Sequence, residues 1–346
     1  MTQAMRAVAF SRHLPITDPD ALQDFFLPRP QPGPRDLQVR VEAVSVNPVD
    51  AKLRGPRPGA PEEVDPPRIL GFDAAGVVEA VGPEVELFQP GDEVYYAGDV
   101  TRPGCNARYH LVDERLAGPK PTTLDFAQAA ALPLATITAW ELLFERMPYD
   151  FDAEDNGRSL LVIAGAGGVG SIAIQLARHA GFTVIATASR PQTREWCLRM
   201  GAHHVIDHRQ PLAPQLQALG FDAVDAAVNL ADTDRYWEPL GELLAPQGHV
   251  GLVVEPTGAL RIGDPYKAKC IGIHWEFMFA RPRFRTADMI RHHQILARAG
   301  SLVEAGELRT TLSEVLGPIN AANLREAHRR VEAGSSVGKL VLAGWP

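Results

Sequence analysis

The sequence predicts an α/β protein in which a doubly wound parallel sheet is joined to a second, β-rich region. Three observations carry this. Residues 160–254 alternate apolar runs of strand length with helical patterns. Residues 1 to about 130 lack that alternation and carry short runs of period two among frequent Pro and Gly. Between the two styles, the apolar run at 160–164 leads directly into a glycine-rich turn and then a helical pattern.

Taken in order, residues 37–44 alternate apolar and polar side chains as a half-buried strand does. Residues 75–82 and 92–96 read as further strands, and the Pro- and Gly-rich stretch 54–67 as a loop. The parallel sheet starts at 160–164 and continues through 183–188, 205–206, 223–230 and 249–254. Helical patterns lie at 192–200, 212–219 and 236–244. Helix returns at 286–300 and 320–334, and a strand at 339–342 closes the chain. There are no internal repeats or low-complexity tracts.

Gly165, Gly167 and Gly170 satisfy G-x-G-x-x-G at the strand-to-helix turn. The first glycine permits a tight turn, the second lets the backbone approach a pyrophosphate, and the third lets helix and strand pack closely. The helix start at Gly168 and Val169 then offers free N–H groups and a positive dipole end. A dinucleotide at this turn restricts the chemistry mostly to hydride transfer. An NAD-preferring site needs an acid after the second strand, and residues 183–194 contain none. They offer Ser189, Arg190 and Arg194, which suit the 2′-phosphate of NADPH. The plain alternative for Arg194 is a solvated helix face.

Composition sets outer bounds. The 346 residues suggest two domains, and 45% hydrophobic with 22% charged content is ordinary for a globular chain. A net charge of −8 argues against a nucleic-acid partner. Cys105, Cys197 and Cys270 form no close pair, which fits a reducing cytoplasm. The N-terminal stretch 1–8 lacks a long apolar core and is not expected to be a signal peptide. The most apolar later stretch, 129–144, contains Pro133 and Glu141 and is expected to be too short and broken to cross a membrane.

Several ordered segments resemble the medium-chain dehydrogenase/reductase superfamily, in its quinone oxidoreductase branch. Residues 46–55 look like N-P-x-D-x-x-x-R-G, and residues 71–78 like G-x-D-x-x-G-x-V. Residues 90–95, 131–139 and 338–342 fit as well, while 96–99 and 273–279 look like a bacterial zinc-type alcohol dehydrogenase-like subgroup. The resemblance implies a GroES-like catalytic domain over 1–133, a Rossmann NADP-binding domain over 134–281, a return to the catalytic domain over 282–346, and a cofactor cleft between them. It also implies that Thr136 lies by the nicotinamide, His208 by the adenosine half, Asn229 over the cofactor, and Lys339 near a phosphate or the cleft. A surface lysine before a strand is the plain alternative for Lys339.

Zinc-dependent members of that superfamily place a Cys where this chain has Asn47 and a His where it has Phe72. Their third ligand has no equivalent around 132–138, so no metal is expected. The pairs His203-His204 and His292-His293 point apart on any regular element and read as surface or packing. Without a Lewis acid, substrates that accept hydride by conjugation need least help, which favours quinones and α,β-unsaturated carbonyls. Asn47, Asp50, Arg54, Tyr95 and Tyr96 are the candidate groups around the substrate oxygen. Asn47 is the favoured donor, and only one of the two adjacent tyrosines is expected to face the cleft. The expectation is an NADPH-dependent, metal-independent oxidoreductase acting on a small molecule. It is expected to be cytoplasmic and homodimeric, without nucleic-acid or membrane partners. The competing readings are a zinc-dependent alcohol dehydrogenase and a non-catalytic NADPH-binding sensor or structural protein.

Overall fold

The computed structural model describes residues 4–153 and 156–346; Met1, Thr2 and Gln3, the head of the N-terminal stretch read above, lie outside the described residues. The chain first lays down β1 (Ala4–Phe10), β2 (Gln23–Pro28), β3 (Asp36–Ser45), α1 (Pro48–Arg54), β4 (Arg68–Ile69), β5 (Ala74–Val81), β6 (Glu93–Tyr96), β7 (Tyr109–Asp113), β8 (Ala117–Pro119) and α2 (Phe126–Ala130). It continues with α3 (Pro133–Glu141), a π turn (Leu142–Arg146), β9 (Ser159–Ile163), α4 (Gly168–His179), β10 (Thr183–Thr187), α5 (Pro191–Arg199), β11 (His204–Ile206), α6 (Leu212–Ala218), β12 (Val224–Asn229), α7 (Thr233–Leu243), β13 (Leu244–Leu252) and β14 (Gly272–Trp275). It ends with α8 (Ala280–Phe284), α9 (Arg291–Glu304), β15 (Leu312–Val315), α10 (Ala321–Glu332) and β16 (Lys339–Ala343).

Two units result, Met1–Leu134 with Phe279–Pro346, and Ala135–Met278. The second crossing falls at 278/279, earlier than the 281/282 read from sequence, because Phe279 packs edge-on against Phe72 of the first unit at 5.3 Å.

The first unit holds a small sheet, β2-β1-β4, and a larger one, β15-β16-β3-β5-β6-β8, with β7 also on β3. Most pairs are antiparallel, so a strand can be wet on one side; β7 shows it by alternating half-buried and buried residues. The central strand β3 buries Leu37, Val39, Val41, Ala43 and Val44 completely.

The second unit is one six-stranded parallel sheet, β11-β10-β9-β12-β13-β14. All five residues of β9 are buried, as expected for a strand covered by helices on both faces. Strand order reverses between β9 and β12, and that switch point opens a crevice at the carboxyl ends of the strands. One face packs Leu161, Ile163, Ile185, Val250 and Leu252 against Tyr236, Trp237 and Tyr266.

The apolar stretch around 129–144 corrects one expectation. It belongs to a helical run of 21 residues, Phe126–Arg146, long and apolar enough by composition to cross a membrane. Its most apolar window is 78% buried within the protein, which makes it core helix.

Candidate active site

Two polar clusters hold the residues singled out from sequence, one in each unit. In the second unit the turn after β9 is fixed by β10: the Ala164 N–H donates to Thr187 Oγ1 at 3.0 Å, and the Gly165 N–H to the Thr187 carbonyl at 3.2 Å. The three glycines do different things. A Cβ on Gly165 would meet Ala186 Cβ at 2.7 Å, and one on Gly170 would meet the Ala164 carbonyl at 2.5 Å. A Cβ on Gly167 would meet nothing closer than the Ala164 carbonyl at 3.5 Å. Gly165 and Gly170 are therefore required by packing, whereas a Cβ on Gly167 would make only an ordinary van der Waals contact. Ala164, Gly167, Gly168 and Val169 are the half-exposed residues of this turn, while Gly165, Ala166 and Gly170 are buried. No side chain caps α4, so its first N–H groups have no side-chain partner and suit an anion.

Thr136, on α3, is fully buried, and its Oγ1 has no hydrogen-bond partner. A buried hydroxyl left without a partner costs about 1–3 kcal/mol, so this atom fits a group that a cofactor would bring. Asn229 ends β12 as expected, but its amide is used locally: Nδ2 donates to the Asp232 carbonyl at 3.1 Å and Oδ1 accepts from Ala231 N–H at 3.2 Å.

The basic end of the site differs from the sequence reading. Arg194 is neither a solvated face nor a free cation: it donates to the Val205 carbonyl at 2.8 Å and the Ala188 carbonyl at 3.4 Å, tying the ends of β10 and β11 together. Arg209, which sequence reasoning missed, donates to Asp207 and reaches the Ser189 carbonyl at 3.1 Å. Arg235 donates to the His208 carbonyl at 2.9 Å. Burial lowers the pKa of His208, and the charges of Arg235, Arg209 and Arg190 lower it further against the opposing pull of Asp207. Three guanidinium groups thus surround the region where a 2′-phosphate was expected. The available signal was Asp207-His208-Arg209 directly after the third strand. A pocket of about 460 Å³, lined by His208, Arg209, Arg235 and Tyr236, opens beside them.

In the first unit the candidate groups close on one another. Asp73 Oδ2 accepts from Ser45 Oγ at 3.0 Å, Asn47 Nδ2 at 2.8 Å and Lys339 Nζ at 2.8 Å, and its Oδ1 accepts from the Leu134 N–H at 2.7 Å. Lys339 also donates to Asn47 Oδ1 and to the Val46 carbonyl. The second Asn47 amide proton goes to the Phe72 carbonyl at 3.3 Å. Asn47 and Lys339 are 2% and 4% exposed, so nothing else competes for these donors. This corrects two expectations: the Asn47 amide is already committed, and Lys339 is neither a surface lysine nor a free phosphate contact.

Asp50, also fully buried, accepts the Asn47 N–H at 2.8 Å and the Gly71 N–H at 3.0 Å. Burial raises its pKa from 3.8 to about 7, against the pull of those two N–H groups and of Lys339. Arg54 is buried at the end of α1 and ion-paired with Glu332. The adjacent tyrosines do not divide as predicted. Both are fully buried; Tyr95 donates to the Leu296 carbonyl at 2.6 Å, and Tyr96 bonds His110 Nδ1 at 3.1 Å. Burial pushes both phenols well above their usual range. A cavity of about 740 Å³ between β1, β7 and the loop at 100–104 is lined by none of the predicted site residues.

A zinc ion was tested against this cluster by its donors. Phe72 offers none, Asn47 Oδ1 and Asp73 Oδ2 already hold an ammonium group, and burial raises the neighbouring Cys105 thiol far from its thiolate form. Zinc binds thiolate, imidazole and carboxylate groups at tetrahedral positions, and these residues do not fit it. Among the described residues, no three His, Cys, Asp or Glu side chains are grouped to hold a metal. Lys339 supplies the positive charge that the buried Asp73 requires.

Residues 33–122 match the family described as alcohol dehydrogenase GroES-like domain, and residues 200–342 the family described as zinc-binding dehydrogenase. A zinc-type alcohol dehydrogenase-like protein of Staphylococcus aureus is 40% identical over 339 residues, covering 98% of this chain and 99% of its own. The NADPH-dependent alkenal/one oxidoreductase of Arabidopsis thaliana chloroplasts is 31% identical over 317 residues, 89% of this chain and 72% of its own. A crystal structure from Rhizobium etli, assigned to the zinc-dependent alcohol dehydrogenases, superposes with a TM-score of 0.93 at 49% identity over 100% of both chains.

Proposed function

This chain belongs to the medium-chain dehydrogenase/reductase superfamily, and from that premise we propose that it reduces quinones or α,β-unsaturated carbonyls with NADPH, without a metal. The observation that carries the reading is the pairing of an open phosphate cradle at Gly167–Val169 with guanidinium groups around Ser189 and His208. When bound, NADPH supplies the hydride. The N–H groups at the start of α4 hold the pyrophosphate, and Arg190, Arg209 and Arg235 favour a 2′-phosphate over a bare ribose. Arg194 acts indirectly, by fixing the strand ends that present Ser189 and Arg190. Thr136 gains its missing partner from the nicotinamide end.

The first unit favours the substrate class. Its polar groups satisfy one another, so a plain ketone would find little there to polarise it. A conjugated acceptor spreads charge to an oxygen that water or a single hydrogen bond can hold. The name of the Arabidopsis relative agrees with that class.

The active form is proposed to be a cytoplasmic homodimer. Strand β14 ends its sheet and carries exposed Trp275 and, just beyond, exposed Phe277, a surface suited to a second copy.

Titration of NADPH and NADH by tryptophan quenching tests the cofactor. Wild type should prefer NADPH, and Arg209→Ala should narrow the preference by about 1.5–3 kcal/mol, the usual value for a charge-assisted bond. Equal affinities in wild type would reject the reading. Turnover of a quinone and an enone after chelation tests the metal-free claim, and activity that returns only with added zinc would reject it.

A further inference from the structure

Within the segment 273–279, whose exposed residues serve the dimer reading above, one buried residue remains unused. Trp275 and Phe277 are exposed, while the carboxyl between them, Glu276, is 3% exposed. A second acid, Glu141 at the end of α3, is also fully buried, and both carboxyls share one arginine. Arg146 bridges the pair, with Nε 2.9 Å from Glu276 Oε2 and Nη2 2.9 Å from Glu141 Oε2. Arg146 reaches them from the π turn, closed by the Met147 N–H on the Leu142 carbonyl at 3.1 Å. The other groups facing this cluster are His274, whose ring bonds the Arg146 backbone, and His249, 2.9 Å from His274.

One guanidinium cannot neutralise two buried carboxylates. Burial and the neighbouring Glu141 accordingly raise Glu276 from 4.5 to about 9. The location gives the cluster its purpose. Glu276 follows the carboxyl end of β14, and its N–H donates to the Leu252 carbonyl at the end of β13 at 2.9 Å. In a switch-point sheet the ligand lies along these ends. The glycine turn after β9 takes the pyrophosphate and the arginines beyond β10 take the adenosine half. The ends of β12 to β14 remain for the nicotinamide half, next to α3, which carries Thr136.

We propose that Glu141, Arg146 and Glu276 form a buried clamp that positions the ends of α3 and β14 for the nicotinamide half of the cofactor. These are positioning residues, and the proposal rests on the NADPH reading above. The test titrates NADPH and adenosine 2′,5′-bisphosphate, which lacks the nicotinamide half, from about pH 7 to about pH 10. In wild type, NADPH affinity should fall about tenfold for each pH unit above the Glu276 transition, with the bisphosphate unaffected. Glu276→Gln, which keeps a neutral side chain, should retain the neutral-pH affinity and remove the alkaline loss. Glu276→Ala should weaken NADPH about tenfold at neutral pH and leave the bisphosphate unchanged; if that variant does not fold, the Gln variant carries the test. An alkaline loss that persists in Glu276→Gln, or equal losses of both ligands, would overturn the clamp alone. Failure of wild type to bind either ligand would overturn the cofactor reading and the clamp with it.

Discussion

Two buried polar sites, the Asp73 cluster of the first unit and the glycine turn with Thr136 in the second, treat their groups in opposite ways. In the first, Asp73 takes four donors, Lys339 three acceptors, and both amide protons of Asn47 are used. In the second, the Thr136 hydroxyl has no partner, α4 has no side-chain cap, and a Cβ on Gly167 would be tolerated. Burial makes an unpaired polar group costly, and beside the glycine turn the proposed cofactor would remove that cost. The difference separates a closed cluster from groups left open, which the proposed cofactor would fill. Among residues of similar type, it moves Asn47, Lys339 and both tyrosines to the first class and keeps Gly167 and Thr136 in the second.

The largest expected effect breaks the closed cluster. Lys339→Met leaves Asp73 buried without its cation, and should cost about 3–5 kcal/mol of stability. Chemical denaturation measures it; a loss under about 1 kcal/mol would mean that water reaches Asp73 and the cluster is not closed.

Next come the glycines, which test the comparison inside one turn. Gly165→Ala forces a Cβ into Ala186 and should destabilise by about 1–3 kcal/mol. Gly167→Ala meets only ordinary contact, so its melting temperature should stay near wild type while NADPH affinity falls about tenfold or more. Equal melting losses in the two variants would erase the distinction between packing and cradle.

Thr136→Val gives a smaller effect with opposite signs. Removing an unpaired buried hydroxyl should leave the apoprotein as stable or slightly more so. NADPH-dependent turnover should drop several-fold, about 1 kcal/mol. A destabilised apoprotein would show that the hydroxyl already has a partner.

The smallest effect is on the pH profile of the first unit, where two buried groups act in opposite directions. Asp50 has its folded pKa raised to about 7, so the folded state binds the extra proton between pH 3.8 and 7. Its contribution is full below that window and is lost as pH rises through it. His110 is held down to about 4 from 6.5 by burial, so its contribution is full above 6.5 and lost as pH falls toward 4. Thermal melts across this range should show Asp50→Asn steepening the net rise of stability with pH relative to wild type. An unchanged slope would place the Asp50 titration outside that window.

Much of the fold was legible locally. Period-two runs and apolar segments placed β3, β5, β6 and the strands from β9 to β13 within a few residues, because a strand's exposure repeats along the chain. The glycine turn was equally legible, since a tight turn and two close approaches are conditions on single residues. What the sequence by itself determined is this set of elements and the phosphate cradle. The tertiary structure decided which charges meet. Lys339 pairs with Asp73 from 266 positions away, and Arg146 with Glu276 from 130. Periodicity reports whether a side chain is buried, but not which partner it finds there. In a low-dielectric interior that partner sets both the charge state and the availability of every donor. Asn47 and Tyr95 looked reactive in sequence and are bound in the fold, whereas Arg209 and Glu276 acquired roles only when distant strand ends came together.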